Sequence, residues 1–180
     1  MATAGRCGAR AGWSWLLRAS CIALGVALLF AAPASARDSL GVYSGWGAFR
    51  DSGADPRCYA IAMAERSRQQ REFQPYADVA IWPRRGVRGQ VHFRLSRRLA
   101  ANARIILDLG DQRIELTGGG NDAWAQDRRM DAAIVAAMRS AAYMTVNSKS
   151  SEGRGFSDSY KLTGAATAMD AAAIGCAQIR

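Results

Sequence analysis

The sequence predicts a strand-dominated α+β domain behind an export signal, and three observations carry that reading. Short apolar stretches recur between Gly-, Pro- and Asp-rich turns, several of them alternating apolar with polar residues. Only two segments show helical spacing. Residues 1–36 have the composition of a leader rather than of a fold.

The leader comes first. Arg6, Arg10 and Arg18 form a positive n-region without an acidic residue, an apolar run follows from Cys21 to Ala32, and Pro33 precedes the small-residue site Ala34-Ser35-Ala36. This is the three-part pattern of a secretory signal peptide, with cleavage expected before Arg37. The apolar run falls short of the ~20 residues a spanning helix needs, so no transmembrane segment is expected in the mature chain. An uncleaved anchor is the alternative. A lipoprotein signal fits less well, because Arg18 close before Cys21 spoils the lipobox.

Residues 40–49 interleave aromatic and apolar residues with glycine and read as a first strand. Asp51-Ser-Gly-Ala-Asp-Pro56 is a loop by every turn signal it contains. Residues 58–63 are nearly all apolar, as in a strand buried on both faces. The polar stretch 65–76 reads as a surface excursion, 79–82 as a short strand broken at Pro83, and 90–95 as an alternating, half-buried strand. Residues 105–109 and 112–116 flank Gly110-Asp111 and predict a hairpin. Its register places Leu107 opposite Ile114, Ile105 opposite Leu116, and Asp108 opposite Arg113 as a cross-strand charge pair. Residues 117–121 are expected as a flexible turn. Their triple glycine lacks the lysine of a P-loop and the spacing of a dinucleotide fingerprint. Asp127 is placed to cap a helix over 128–140, with Met130, Ile134, Val135 and Met138 on one apolar face. Residues 142–147 and 156–162 read as paired strands around a polar loop at 148–155, and 165–174 as a small-residue helix. The expectation is seven or eight strands and two helices.

One domain fits in residues 37–180. The formal net charge of +9 falls to about +6 once three leader arginines are removed, and every basic residue except Lys149 and Lys161 is arginine. A GC-rich genome also produces such a skew. A basic exported domain meets anionic envelope polymers, lipid heads and acidic proteins; no nucleic-acid recognition motif is present. Two of the four cysteines leave with the leader, so the mature chain has one possible intramolecular pair, Cys58 with Cys176. In an oxidising compartment that pair reads as a structural disulfide between the second strand and the C-terminal end. A redox pair or an intermolecular bridge are the alternatives.

These features in their order resemble the invasion-associated locus B family of envelope proteins. The order is a leader, Trp46 in Gly45-Trp-Gly-Ala-Phe49, a cysteine in a strand, the hairpin, Trp124, an Asp-led helix ending at Met138, and Met144-Thr-Val146. Gly155-Phe-Ser-Asp-Ser-Tyr-Lys-Leu162 then leads into the alanine-rich helix and Cys176. The similarity spans nearly all of 40–176 through short elements. It implies export to the periplasm or beyond, β-sandwich-like antiparallel sheets with two short helices, and no assigned catalytic mechanism.

The catalytic inventory is thin, and no enzyme, metal site or cofactor is expected. His92 is the only histidine in the chain, on the polar side of an alternating strand. A Ser-His-Asp arrangement would have to recruit Ser159 and Asp158, with no nucleophile elbow to support it. Asp158 is better read as bonded to backbone or paired with an arginine. Asp108 and Asp111 belong to the hairpin surface and offer no facing carboxylates for glycoside hydrolysis. The strongest functional feature is basic and aromatic: Arg84, Arg85, Arg88, Arg94, Arg97 and Arg98 around Trp82 and Phe93. Guanidinium forks suit phosphate and carboxylate groups. The expected function is a non-enzymatic binding module that contacts an anionic envelope polymer or lipid, or an acidic envelope or host protein. The alternative is a periplasmic inhibitor or chaperone-like module acting through a loop at 65–76 or 148–155.

Overall fold

The computed structural model describes residues 37–177 and 179; the leader lies outside the described residues. The chain enters as a hairpin, β1 (Arg37–Tyr43) and β2 (Trp46–Asp51), which turns at Ser44-Gly45 with Ser44 at φ 56°. The single strand expected over 40–49 is therefore two strands, folded back at a Ser-Gly dipeptide that is itself a turn signal. Three more strands continue the meander: β3 (Arg57–Met63), β4 (Tyr76–Trp82) and β5 (Val87–Arg94), with a 3-10 turn at Pro83–Arg85. The expected hairpin follows as β6 (Ile105–Leu109) and β7 (Gln112–Gly119), in the expected register, including Asp108 opposite Arg113. Next come β8 (Asp122–Trp124), α1 (Arg128–Met138), β9 (Tyr143–Lys149), β10 (Gly155–Lys161) and α2 (Ala165–Cys176).

The described strands form one ten-stranded antiparallel sheet, in the order β1-β2-β3-β4-β5-β8-β7-β6-β9-β10. Two separate stacked sheets are not seen. β7 is the strand that joins the halves: residues 112–116 pair with β6, and Thr117–Gly119 pair with β8. The stretch expected to be a flexible turn is thus mostly ladder. Gly118 makes the junction possible, since a Cβ there would lie 2.5 Å from the Asp122 carbonyl oxygen and from Ile105 Cδ1. The sheet curls until its last strand reaches back to the first ones. Trp46 Nε1 donates to the Lys161 carbonyl at 2.9 Å, and Glu65 N donates to Ser159 O at 2.7 Å.

Alternation places Trp46, Ala48, Cys58, Ala60, Ala62, Val91 and Phe93 inside the curl, opposite Leu107, Val146, Phe156 and Tyr160. The Phe93 and Tyr160 rings meet at 6.0 Å. Helix α1 starts as its residues require: Asp127 accepts from Met130 N at 2.8 Å, and Ile134 and Met138 are buried. Helix α2 buries Met169 and the small side chains of Ala165, Ala168 and Ala172, which let it sit close on β2 and β3, where Ala48, Ala60 and Ala62 are buried. Its entry needs Gly164, at φ +90°, where a Cβ would stand 2.0 Å from the Tyr43 carbonyl oxygen. Cys58 and Cys176 form the expected disulfide, tying β3 to the end of α2 across a sequence separation of 118. Among the described residues no helix is long and apolar enough to cross a membrane.

The curl sorts the side chains into two populations. The inner set is almost wholly apolar. The other face of β2, β3, β4, β5 and β8 carries Phe49, Tyr59, Ile61, Tyr76, Asp78, His92 and Trp124, and the polar and aromatic groups gather there.

Candidate functional site

Three strands bring Arg37, Asp51 and Arg57 into one cross-strand row, because Asp51 is the register partner of both arginines. Asp51 Oδ1 accepts from Arg37 Nε at 2.9 Å and Oδ2 from Arg57 Nε at 2.9 Å. Cys58 pairs with Ile81, so the next residue on β4, Trp82, falls beside Arg57. A ladder of alternating cations and rings results. The Arg37 guanidinium lies 5.7 Å from the Tyr59 ring. That of Arg57 lies 4.6 Å from Tyr59 and 5.3 Å from Trp82, and that of Arg85 lies 4.6 Å from Trp82. Two loop contacts fix the outer end: Arg85 pairs with Asp55, and Arg84 Nη1 donates to the Ala54 carbonyl at 2.5 Å.

Electrostatically the ladder carries an excess of cations, with Arg37, Arg57, Arg84 and Arg85 facing Asp51 and Asp55. Partial burial pushes the Asp51 carboxyl up, but hydrogen bonds from Arg37 and Arg57 outweigh it and hold it below the usual carboxylate range. Burial, with Asp51 nearby, raises the Tyr59 phenol. Arg37 and Arg85 keep 61 % of their side-chain surface exposed, so the forks are held in place yet open to a ligand.

Of the residues expected to form an anionic-ligand patch, Trp82, Arg84 and Arg85 belong to this ladder. Arg88 lies under the edge of the sheet, on the same face as Ile81. Arg94 is at the far end of β5, about 20 Å along the strand from Arg88. It is engaged there, with Nη1 donating to Asn121 Oδ1 and Asp122 Oδ2, each at 3.0 Å. Arg97 is spent on structure: with 9 % of its side chain exposed, it donates to the Gln70 carbonyl and stands 3.6 Å from both Glu72 and Glu152. Arg98 is exposed, with its own carbonyl accepting from Ser151 N at 2.9 Å. Phe93, expected among them, is buried in the core. The six arginines therefore do not make one patch. Arg37 and Arg57, which complete the ladder, are scattered in the sequence and come together only through register.

His92 sits between two carboxylates. Nδ1 lies 2.7 Å from Asp78 Oδ1, and Nε2 lies 3.0 Å from Asp122 Oδ1, with the rings of Tyr76 and Trp124 alongside at 5.7 and 5.4 Å. Both contacts are satisfied together only by the doubly protonated ring. Burial lowers its pKa, but Asp78 and Asp122 overcome that and raise it. The Ser-His-Asp arrangement is not assembled. Ser159 Oγ shares a hydrogen bond with Thr145 Oγ1 at 2.9 Å, and Asp158, fully buried, accepts from Ser96 N at 2.8 Å. Burial raises the Asp158 carboxyl against that bond and against nearby Arg71 and Arg97. Its Oδ1, the Tyr160 hydroxyl and Arg71 Nε are buried without a hydrogen-bond partner. Among the described residues no cluster of His, Cys, Asp or Glu is arranged to hold a metal ion.

No family model, curated protein or solved structure matches the chain.

Proposed function

We propose that this is an exported, non-enzymatic binding module of the invasion-associated locus B type, which holds anionic groups of envelope polymers on the Arg37–Tyr59–Arg57–Trp82–Arg85 ladder. The observation that carries the reading is the ladder itself. Guanidinium forks are pre-positioned on aromatic rings, in excess of their carboxylates and open to solvent. Cleavage before Arg37 adds to it, because the new α-amino group then sits on the first rung. On this reading the curled sheet, whose last strand reaches Trp46, is the family's sandwich-like layout joined along one side.

The test is binding of alginate, an anionic polysaccharide, against neutral dextran across a salt series. Alginate binding that weakens with salt, and that falls at least tenfold in an Arg57→Gln, Arg85→Gln double variant, supports the reading. Equal binding of dextran, or an unaffected double variant, refutes it. An inhibitor-like module is the second reading, supported by Arg97. Its guanidinium clasps loop 64–75, through Gln70 and Glu72, to the turn after β9, through Glu152, and so stiffens two neighbouring loops.

A further inference from the structure

Arg88 is turned away from the ladder by a local irregularity. Strict alternation along β5 would put Arg88 on the face that carries Gln90, His92 and Arg94. The register instead slips between Ala80 and Ile81: Gln90 pairs with Ala80, Arg88 with Ile81, and Gly89 takes up the extra residue at φ +83°. Bulges commonly re-aim a side chain in this way. Here the bulge moves one guanidinium to the opposite face of the sheet.

On that face lies a cleft of about 480 Å³, between the end of α2 and the β4–β5 turn. The volume is within the ~300–1,000 Å³ typical of small-ligand sites. Ile81, Val87, Ala173, Ala177 and Ile179 give its walls aliphatic side chains, and among the described residues that line it Arg88 is the charged one. Among the described residues no carboxylate lines the cleft. Arg37, Arg57 and Arg85 all have acidic partners, whereas the Arg88 guanidinium makes neither an ion pair nor a side-chain hydrogen bond among the described residues.

We propose that this cleft binds one fatty acid, with its acyl chain along the α2 wall and its carboxylate on Arg88. The chemistry selects that class. One uncompensated cation calls for one anionic group, and the methyl-bearing side chains of the walls suit an aliphatic body. The site goes beyond the ladder reading and lies on the other face of the sheet. The Cys58–Cys176 disulfide holds its α2 wall in place.

The probes are hexadecanoate and its neutral analogue hexadecanol, titrated into the purified protein by calorimetry and checked for stoichiometry by native mass spectrometry. Hexadecanoate should bind once per chain. Ala173→Trp, an exposed helix position that tolerates size, should fill the cleft and abolish binding. Arg88→Gln should weaken the acid at least tenfold while leaving hexadecanol unchanged. Wild-type affinity in Ala173→Trp overturns the proposal, as does equal affinity for acid and alcohol. So does a dimer that Ala173→Trp dissolves, which would make the cleft a contact between copies. The Arg57→Gln, Arg85→Gln variant should bind hexadecanoate normally, so failure here and failure of the ladder are read separately.

Discussion

Breaking the Cys58–Cys176 bridge should cost this domain a large part of its stability, and the size follows from where the bridge sits. The two cysteines are 118 residues apart in sequence. In the chain-entropy account, releasing a loop of that length returns about 5 kcal/mol of freedom to the unfolded state, an upper figure that real proteins often undercut. Both cysteines are buried, so reduction leaves two small apolar groups in a packed site and adds little further cost. For a domain of this size each kcal/mol moves the melting temperature by roughly 3–5 °C. A loss of about 3–5 kcal/mol therefore predicts a fall of roughly 10–20 °C. The assay is a thermal melt followed by circular dichroism, on oxidised protein, reduced protein and the Cys58→Ser, Cys176→Ser variant. Oxidised and reduced melts within about 3 °C of each other would show that the packing of α2, not the bridge, holds the C-terminal end.

Other perturbations separate the polar groups by sign. His92 has a raised pKa in the folded state, so its contribution is complete below its ordinary value near 6.5 and is lost as pH rises through the folded value. Wild-type stability should decline from neutral into alkaline pH; His92→Gln should flatten that slope and cost about 1–3 kcal/mol at pH 6, measured by urea unfolding at several pH values. A slope that persists in His92→Gln would assign it elsewhere. Asp158 also titrates upward, so its neutral form favours the fold at low pH, and that benefit is lost as pH rises through its folded value. Asp158→Asn keeps an acceptor for Ser96 N and should stay within about 1 kcal/mol of wild type at pH 7. Asp158→Leu, which orphans that N–H, should lose about 1–3 kcal/mol more; equal stability of the two would refute the role of the bond. Gly164→Ala should cost at least about 2 kcal/mol in the same unfolding assay, since it puts a Cβ against the Tyr43 carbonyl at positive φ.

What the sequence disclosed was local. The β6–β7 hairpin was legible because Gly110-Asp111 fixes the loop and one register satisfies both the apolar face and the Asp108–Arg113 pair. Asp127 was legible as a cap because its partner, Met130 N, is three residues away. Cys58 and Cys176, the two cysteines outside the expected leader, left one intramolecular bridge to draw. Lateral register, by contrast, leaves no mark within any one strand. The ladder needs Arg37, Asp51, Arg57 and Trp82 to line up across four strands, and the clamp on His92 needs Asp78 and Asp122 from strands on either side. Arg88 was read with Arg94 because both lie in one basic stretch of sequence, and a one-residue bulge puts them on opposite faces. Arg97, read as a ligand group, is nearly buried in its loop contacts; its neighbour Arg98 shows that charge in sequence does not reveal which guanidinium stays open.

The most direct test of the ladder is a charge-matched comparison of alginate affinity. Arg57→Gln, Arg85→Gln and Arg66→Gln, Arg98→Gln each remove two positive charges, but only the first pair belongs to the ladder. The account predicts at least a tenfold loss for the ladder pair and less than a twofold change for the other. Equal losses would mean that alginate senses net charge alone, and the ladder would have no binding role.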